Sequence, residues 1–312
     1  MKKLSVALTT YNHEKYIAAA LESIFAQNLQ VPFEIVIGND CSTDKTGQII
    51  EAYQQKYPDI IRNLPRNSNL GYVRNFDETM QACQGEYIAI FDGDDIMLPG
   101  KLNKQIEMLD RHPEYVMVGH NARAFDSETG KTIRYIKPRF KKPEYTIEDL
   151  IVESSFFANS SKVFRKSAYP KEGIDRNLYA IADWYITIEI AKKGKIGYIH
   201  ENLVEYRVHN QSIMQKIRGD KQAHDILYIL DKLEKEFPGK YTHLFARQKA
   251  YCYLILGIQA DQENNKQLAR KNFAECIKLY PRYSVSPYIR WLLTFAPKSL
   301  FHFLLKQTGR TH

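Results

Sequence analysis

The first half of the chain alternates short apolar runs with longer amphipathic stretches. Three runs rich in β-branched and aromatic residues predict buried strands: Leu4 to Leu8, Phe33 to Ile37 and Tyr87 to Phe91. The amphipathic stretches predict helices that begin near Glu14, Asp44, Val73 and Pro99. Strands that alternate with helices are typical of βαβ units, so this pattern predicts an α/β fold with a mainly parallel sheet flanked by helices.

The pattern changes along the second half. Shorter strands are predicted at Tyr115 to Val118 and Val163 to Arg165, followed by a helix from about Asp183 to Lys193. From about Gln222 to the end, the pattern is helical. We therefore expect an α/β domain over residues 1–215 and a helical region over residues 216–312.

Seven positions in the helical region have a characteristic spacing. They are Tyr253, Leu256, Gly257, Ala269, Phe273, Cys276 and Pro281. This spacing is similar to that of a tetratricopeptide hairpin and places one at about residues 250–283. One such hairpin must stack on the helix before it, on the α/β domain or on another chain. An ordinary αα-hairpin fits the spacing equally well.

Charge separates the two regions. Residues 1–215 carry 27 Lys and Arg against 28 Asp and Glu, whereas residues 216–312 carry 17 against 8, an excess of +9. From Cys276 onward there are six basic residues and no acidic one. This part of the chain is expected to meet something anionic, and the charge alone leaves a membrane, a nucleic acid or a charged partner open.

An amphipathic tail at about residues 284–306 narrows that choice. Its apolar residues stand among the basic ones, Arg290, Lys298 and Lys306, and no acidic residue. The pattern favours a pair of interfacial helices, broken at Pro297, that lie on an anionic inner membrane surface. We therefore expect no nucleic acid as a partner. Alternatively, the apolar stripe packs against the hairpin or against a second subunit, giving a homo-oligomer through the helical tail.

Length and composition are those of a globular protein of about two domains, with 312 residues, of which 44% are hydrophobic and 26% charged. The four cysteines, Cys41, Cys83, Cys252 and Cys276, have no metal-site spacing and predict reduced thiols. The apolar opening stops at Thr9, too early for an export signal, and no stretch reaches about 18 apolar residues. We expect a cytoplasmic protein, peripheral on the inner membrane face if the tail binds lipid.

Polar residues follow each of the three strands. They are Thr9 to Asn12 after the first, Asn39 to Ser42 after the second, and Asp92 to Asp95 after the third. In open α/β sheets, ligands bind at the carboxyl ends of the strands. The three clusters are therefore expected to converge on one edge of the sheet.

The cluster Asp92-Gly93-Asp94-Asp95 carries the clearest chemistry. Three carboxylates at one strand end repel one another unless a cation or hydrogen-bond donors offset them. Oxygen ligands favour a hard divalent ion, so we expect Mg²⁺ or Mn²⁺ here. The alternative is an acidic turn with Asp95 near the cap of the next helix.

The cluster after the second strand also contains an unexplained carboxylate. Capping of the following helix accounts for Ser42 to Asp44. It leaves Asp40, which could accept a hydrogen bond from the imide N–H of uracil or from a ribose hydroxyl.

Four segments together resemble the inverting family 2 glycosyltransferases of the GT-A fold over about residues 3–210. They are Val6 to Asn12, Asp40 to Thr46, Asn69 to Gly71 with Arg74-Asn75, and Gly85 to Asp95. One position departs from the family, which usually has Asp where this chain has Asn39. The resemblance implies a nucleotide-diphosphate-sugar transferase that uses Mn²⁺ or Mg²⁺ and acts on a glycan or lipid-linked acceptor.

The resemblance also implies residue roles. The donor nucleotide sugar, expected to be UDP-linked, would contact Thr9, Tyr11, Asn12, Asp40, Arg74, Asp92 and Gly93. Among these, Tyr11 would stack on the base, and Arg74 would contact phosphate or base unless it lies on the surface. The metal would be held by Asp94, with His209 completing the shell or contacting phosphate. Asp95 and Arg207 would support the site.

The same resemblance assigns Asp183 as the base that removes the acceptor proton, although its position at a helix start also suits an N-cap. Trp184 beside it would stack on a sugar ring or belong to the core. Two other functions compete with this reading. A nucleotidyltransferase would usually show a Gly-rich basic loop after the first strand, which Thr9 to His13 lacks. An inactive adaptor acting through the helical tail is disfavoured because the acidic residues and His209 are all present.

Overall fold

The structure is a computed structural model that describes residues 2–153, 156–210, 219–282 and 286–294. Its chain divides into two units, Met1–Gln215 and Lys216–His312. Within the described ranges, the first unit contains both strands and helices, and the second contains helices alone. The predicted α/β fold with a helical C-terminal region is confirmed.

Ten strands of the described first unit form one mixed sheet. They are β1 Leu4–Thr10, β2 Phe33–Asn39, β3 Ile61–Asn63, β4 Tyr87–Asp92, β5 Ile96–Met97, β6 Tyr115–Asp126, β7 Thr132–Ile136, β8 Glu144–Tyr145, β9 Val163–Arg165 and β10 Lys195–Val208. The main order is β3-β2-β1-β4-β9-β6-β10-β5. Strands β3, β2, β1 and β4 are mutually parallel, as the sequence predicts, whereas β9 lies antiparallel between β4 and β6.

The register of the central strands brings their polar ends level. In β1, Thr9 pairs with Asp92 of β4, and Thr10 pairs with Asn39 of β2. Nearly all the apolar residues of these strands are buried, on both faces of the sheet. The clusters after β1, β2 and β4 therefore meet at one edge of the sheet.

The helices of the first unit lie between the strands. They are α1 Ile17–Phe25, α2 Thr46–Lys56, α3 Tyr72–Ala82, α4 Lys101–Arg111, α5 Ile147–Glu153 and α6 Ala182–Ala191. Helix α1 begins three residues after the predicted start near Glu14. The reason is a turn in which the carbonyl of His13 accepts hydrogen bonds from the amides of Tyr16 and Ile17, both 2.9 Å long.

The described part of the second unit is a stack of helices. They are α7 Gly219–Glu236, α8 Thr242–Gln262, α9 Lys266–Leu279 and α10 Ser286–Leu293. Helices α8 and α9 form the predicted hairpin, although it starts at Thr242 and not near residue 250. A Cβ on Gly257 would lie only 2.4 Å from Cε1 of Phe273, so the two helices cross closely where the sequence has a small residue.

Both sides of this hairpin are covered within the second unit. Ala223 of α7 packs with Cys252 of α8, and Trp291 of α10 packs with Phe273 of α9. The other face of α10 exposes Tyr288, Ile289 and Leu292. Of the predicted tail, residues 284–285 and 295–306, including Pro297, lie outside the described residues. Among the helices that the structure describes, none is long and apolar enough to cross a lipid bilayer.

Candidate active site at the carboxyl end of the sheet

Asp95 is the innermost carboxylate of the acidic turn that follows β4. It is 1% exposed, and the hydroxyl of Ser160 donates a 2.5 Å hydrogen bond to its Oδ2. The backbone amide of Arg207 donates to its Oδ1 at 2.9 Å. Asp95 thus ties the turn to two other segments of the chain.

Asp92, at the end of β4, is also held by polar neighbours. The hydroxyl of Thr9 donates to its Oδ1 at 3.2 Å, as the register of β1 and β4 requires. The side-chain amide of Asn159 donates to both carboxylate oxygens, at 3.1 and 3.2 Å. Asn159 and Ser160 precede β9, so the antiparallel insertion of that strand brings two hydrogen-bond donors to the acidic turn.

Crowding of the three carboxylates separates their protonation. Burial, together with the charge of Asp94, raises the pKa of Asp92 to about 7. Burial and the charges of Asp94 and Asp92 raise the pKa of Asp95 well above its ordinary value. Burial would raise the pKa of Asp94 as well, but the hydrogen bond from His209 outweighs it and lowers that pKa. Asp94 is therefore the carboxylate that stays ionised.

Asp94 lies in a group of three side chains whose types could hold a metal ion. Its Oδ2 is 3.0 Å from Nε2 of His209 and 4.0 Å from Nε2 of His13. One ligand atom from each of the three lies within 4.8 Å of the others. Burial lowers the pKa of His13, which leaves its imidazole neutral and able to donate a lone pair. An ionised carboxylate beside two imidazoles fits a divalent cation.

A stack of side chains holds this group in place. The guanidinium of Arg207 lies 4.7 Å from the ring centre of Tyr16 and 4.8 Å from that of Phe125. Tyr16 in turn packs on the ring of His209, with 4.9 Å between ring centres. Nε of Arg207 also donates a 2.7 Å hydrogen bond to the carbonyl oxygen of Asp94. Arg207 thus holds Asp94 directly and His209 through Tyr16. The sequence did not predict the contact through Tyr16.

Asp40 binds a neighbouring loop. It is 4% exposed, and its two oxygens accept hydrogen bonds from the amides of Leu70 and Gly71, at 2.6 and 2.9 Å. Gly71 has a φ of +80°, a conformation that suits glycine. Asp40 therefore fixes the loop before α3, and its contact with a nucleobase stays a prediction.

The loop after β1 turns sharply at Asn12, whose φ is +56°. Its side-chain oxygen accepts a 2.8 Å hydrogen bond from the amide of Thr43, and its own amide donates to the hydroxyl of Ser42 at 2.9 Å. Tyr11 beside it is 43% exposed and presents a ring to solvent. Across the turn, a Cβ on Gly93 would lie 2.8 Å from Cβ of Thr10, so the backbones approach closely here.

Asp183 lies in the first turn of α6, as predicted. Lys162, which is 1% exposed, donates from Nζ to the carbonyl oxygen of Asp183 at 3.4 Å and to the hydroxyl of Thr187 at 3.2 Å. Burial raises the pKa of Tyr72 well above its ordinary value, and the negative charge of Asp183 raises it further. The same charge also raises the pKa of Asp92. Asp183 therefore acts electrostatically on the acidic turn.

Two predicted site residues, Trp184 and Arg74, have other surroundings: Trp184 is buried and Arg74 forms a surface ion pair. Trp184 is 4% exposed, which fits the core interpretation and not an open stacking face. Arg74 lies on the surface, where its Nε donates to Oε1 of Glu78 at 2.8 Å. This ion pair matches the surface role that the sequence left open for Arg74.

Sequence reasoning missed several residues of the site, among them His13, Asn159, Lys162 and Tyr72. The polar run from Asn159 to Lys162, directly before a predicted strand, was a usable signal for two of them. His13 follows the first predicted strand, but no second histidine stands near it in sequence to indicate a metal site.

The mixed sheet, with its acidic turn at the end of a central strand, has the GT-A fold of the solved structures that it matches. The family model for glycosyl transferase family 2 matches residues 5–172. The chain belongs to glycosyltransferase family 2, which confirms the resemblance found in the sequence.

Several known proteins are similar to the chain. An uncharacterized protein of Mycobacterium tuberculosis (strain ATCC 25618 / H37Rv), Rv1520, is 33% identical over 220 residues, 70% of this chain and 62% of that protein. The chain thus spans less than two thirds of this relative.

Two crystal structures share the fold. TarS residues 1–349 of Staphylococcus aureus, in complex with UDP-GlcNAc, is 17% identical, with a TM-score of 0.71 over 94% of this chain and 89% of that chain. The mannosyltransferase PcManGT of Pyrobaculum calidifontis, in complex with GDP-Man and Mn²⁺, is 16% identical, with a TM-score of 0.58 over 98% of this chain and 84% of that chain.

Proposed function

We propose that the protein is an inverting glycosyltransferase that moves a sugar from a UDP-linked donor to a glycan or lipid-linked acceptor in cell-surface polysaccharide synthesis. The observation that carries this proposal is the buried acidic turn after β4, with ionised Asp94 beside His209. Family membership supports the transferase class. The fold shared with TarS, named a poly(ribitol-phosphate) beta-N-acetylglucosaminyltransferase and crystallised with UDP-GlcNAc, supports the donor and the kind of acceptor.

The donor would lie across the carboxyl ends of β1, β2 and β4. The exposed ring of Tyr11 would stack on the base, because nucleobases stack on aromatic side chains. Asp92 and Thr9 would face the ribose. Asn12 and Asp40 would shape the loops around the base through their hydrogen bonds to Thr43 and to Leu70 and Gly71. Gly93 lets the acidic turn lie close to Thr10, beside the place proposed for the diphosphate.

Asp94 and His209 would hold a divalent cation, Mn²⁺ or Mg²⁺, beside the diphosphate. When bound, such an ion neutralises the charge that develops on the departing nucleotide. Arg207, stacked between Tyr16 and Phe125, keeps the carbonyl of Asp94 and the ring of His209 in place, so the ligands need no reorganisation.

Asp183 would act as the general base. Its carboxylate accepts the proton of the acceptor hydroxyl while that oxygen forms a bond to the anomeric carbon of the sugar. The bond between the anomeric carbon and the diphosphate oxygen breaks with its electrons on the oxygen, so the nucleoside diphosphate leaves and the configuration is inverted. The hydrogen bonds from Lys162 to the first turn of α6 fix where Asp183 stands.

A thermal-shift comparison tests the donor assignment on the full chain. With Mn²⁺ present, UDP and UDP-sugars are expected to raise the melting temperature by several degrees, because a ligand that binds only the folded state stabilises it. GDP-mannose is the matched control for base recognition. A shift with GDP-mannose and none with UDP would contradict the proposed base, and no shift with any nucleotide would favour an adaptor.

The second unit is proposed to bind an anionic membrane surface through α10 and the tail. Tyr288, Ile289 and Leu292 are exposed on α10, and Trp291 is packed against the hairpin, so the exposed face is apolar. The charged residues of the sequence from Ser286 onward are all basic. Interfacial helices with this composition bind anionic lipid. Such binding would place the enzyme at the cytoplasmic membrane face, where a lipid-linked acceptor is found.

We expect the full chain to co-sediment with vesicles that contain anionic lipid, and to do so less at high salt. The triple variant Tyr288→Ser, Ile289→Ser and Leu292→Ser should lose most of this binding, because it removes the exposed apolar face. Helix α10 should stay in place, because Trp291 and its packing on the hairpin remain. A triple serine variant at exposed Ile133, Tyr135 and Phe140 of the first unit is the control. If both variants bind like the unchanged chain, the membrane proposal is wrong and self-association is examined instead by sedimentation velocity.

A further inference from the structure

His13, Asp94 and His209 come from three separate segments and direct ligand atoms at one another. We infer that His13 is a third protein ligand of the ion site and that it sets a preference for transition-metal ions over Mg²⁺. This inference rests on the proposed ion site and goes beyond it, because Asp94 and His209 alone leave the choice between Mn²⁺ and Mg²⁺ open.

The backbone of His13 is fixed on both sides. Its amide donates a 2.8 Å hydrogen bond to the hydroxyl of Thr46, and its carbonyl accepts from the amides of Tyr16 and Ile17. These bonds set the position of the His13 backbone before any ion binds. They involve no atom of the imidazole, so a variant that lacks the ring keeps the loop.

The distances within the group leave room for an ion. Ligand atoms that are each roughly 2.0–2.2 Å from a metal lie about 3 Å apart at a right angle and about 4 Å apart at a wide angle. The separations from Oδ2 of Asp94 are 3.0 Å to His209 and 4.0 Å to His13. The longer one exceeds a hydrogen bond, so His13 faces Asp94 without a direct bond to it.

The surroundings of the His13 ring direct it toward the other two members of the group. The ring packs edge-on against the rings of Tyr16 and His209, with 6.2 and 5.9 Å between ring centres. The side chain is 17% exposed, and its Nδ1 is buried without a hydrogen-bond partner among the residues that the structure describes. These ring contacts leave Nε2 facing the carboxylate of Asp94, which is the arrangement of a metal ligand.

Two nitrogens and one carboxylate oxygen make a selective ligand set. Mg²⁺ prefers oxygen ligands in octahedral geometry, whereas imidazole suits the first-row transition ions. For a given site, affinity rises from Mn²⁺ to Co²⁺ along the series. The set that includes His13 should therefore bind Co²⁺ most tightly of these three ions, then Mn²⁺, then Mg²⁺.

Direct metal titration of the full chain, without donor or acceptor, tests this order. His13→Ala should weaken Co²⁺ and Mn²⁺ binding at least about tenfold, because even changes outside the first ligand shell cost roughly 10–100-fold. It should leave Mg²⁺ binding within about twofold. His112→Ala removes an exposed histidine that pairs with Glu114, and it is the matched control that should change nothing.

Pulsed electron paramagnetic resonance of bound Mn²⁺ supplies a second readout. We expect couplings to the nitrogens of two imidazoles in the unchanged chain and of one in His13→Ala. An unchanged nitrogen count, or equal weakening of all three ions, would overturn the inference. Since neither measurement uses a nucleotide sugar, His13 ligation can hold in a protein that fails to transfer sugar, and it can fail in one that does.

Discussion

Asp94→Asn is expected to abolish sugar transfer and metal-dependent UDP binding while the protein stays folded. Asp94 is the carboxylate whose pKa is lowered against the effect of burial, and it is the member shared by both histidine contacts. Loss of its charge removes the centre of the ion site, and we expect turnover to fall by on the order of 10³ or more. Turnover and UDP affinity, each measured with and without Mn²⁺, provide the check.

The fold should survive this change for an electrostatic reason. The charge of Asp94 raises the pKa of both Asp92 and Asp95, so asparagine relieves repulsion in the turn while its oxygen still accepts from His209. The control is Asp110→Asn on α4, where an exposed carboxylate pairs with Lys3. Wild-type turnover of Asp94→Asn in Mn²⁺ would show that the metal assignment is wrong.

Asp183→Asn is expected to lower turnover by about 10²–10⁴-fold with little change in donor affinity. A general base acts on the acceptor proton in the transition state, so its loss affects the chemical step and not donor binding. The buried ammonium of Lys162 still holds the first turn of α6 through backbone and hydroxyl oxygens, which asparagine leaves intact. Steady-state kinetics and calorimetric titration of UDP separate the two effects.

A matched change at another helix start controls for loss of a capping charge. Asp220 lies in the first turn of α7, so Asp220→Asn removes an equivalent charge outside the first unit. It should leave turnover unchanged. If Asp183→Asn weakens UDP binding as much as it lowers turnover, Asp183 is a donor ligand or a structural cap.

The strand ends of the first unit could be predicted because periodicity and burial agree there. The runs at Leu4 and Tyr87 are almost wholly apolar, with Ser5 as the exception, and both become buried strands. Such runs bounded by polar residues predict where a strand ends within one or two residues. That is why Thr9, Asp92 and Asp94 were placed correctly at one edge of the sheet.

The remainder depends on backbone turns and long-range contacts that no periodicity records. His13 reaches Asp94 because Asn12 adopts a φ of +56°, which no run of apolar residues indicates. Lys162 supports Asp183 only because β9 inserts antiparallel between β4 and β6. The brace of Arg207 on Tyr16 joins residues nearly two hundred positions apart in sequence.

The stereochemistry of donor hydrolysis tests the central claim most directly. In the absence of acceptor, water takes the place of the acceptor hydroxyl, and proton NMR follows the sugar released from UDP-GlcNAc, or from the UDP-sugar with the largest thermal shift, in Mn²⁺. Because the donor sugar is α-linked to the diphosphate, inversion releases the β-anomer first, and we expect EDTA and Asp94→Asn to stop its release. Release of the α-anomer first, or no consumption of any UDP-sugar by the folded chain in Mn²⁺, would contradict the account.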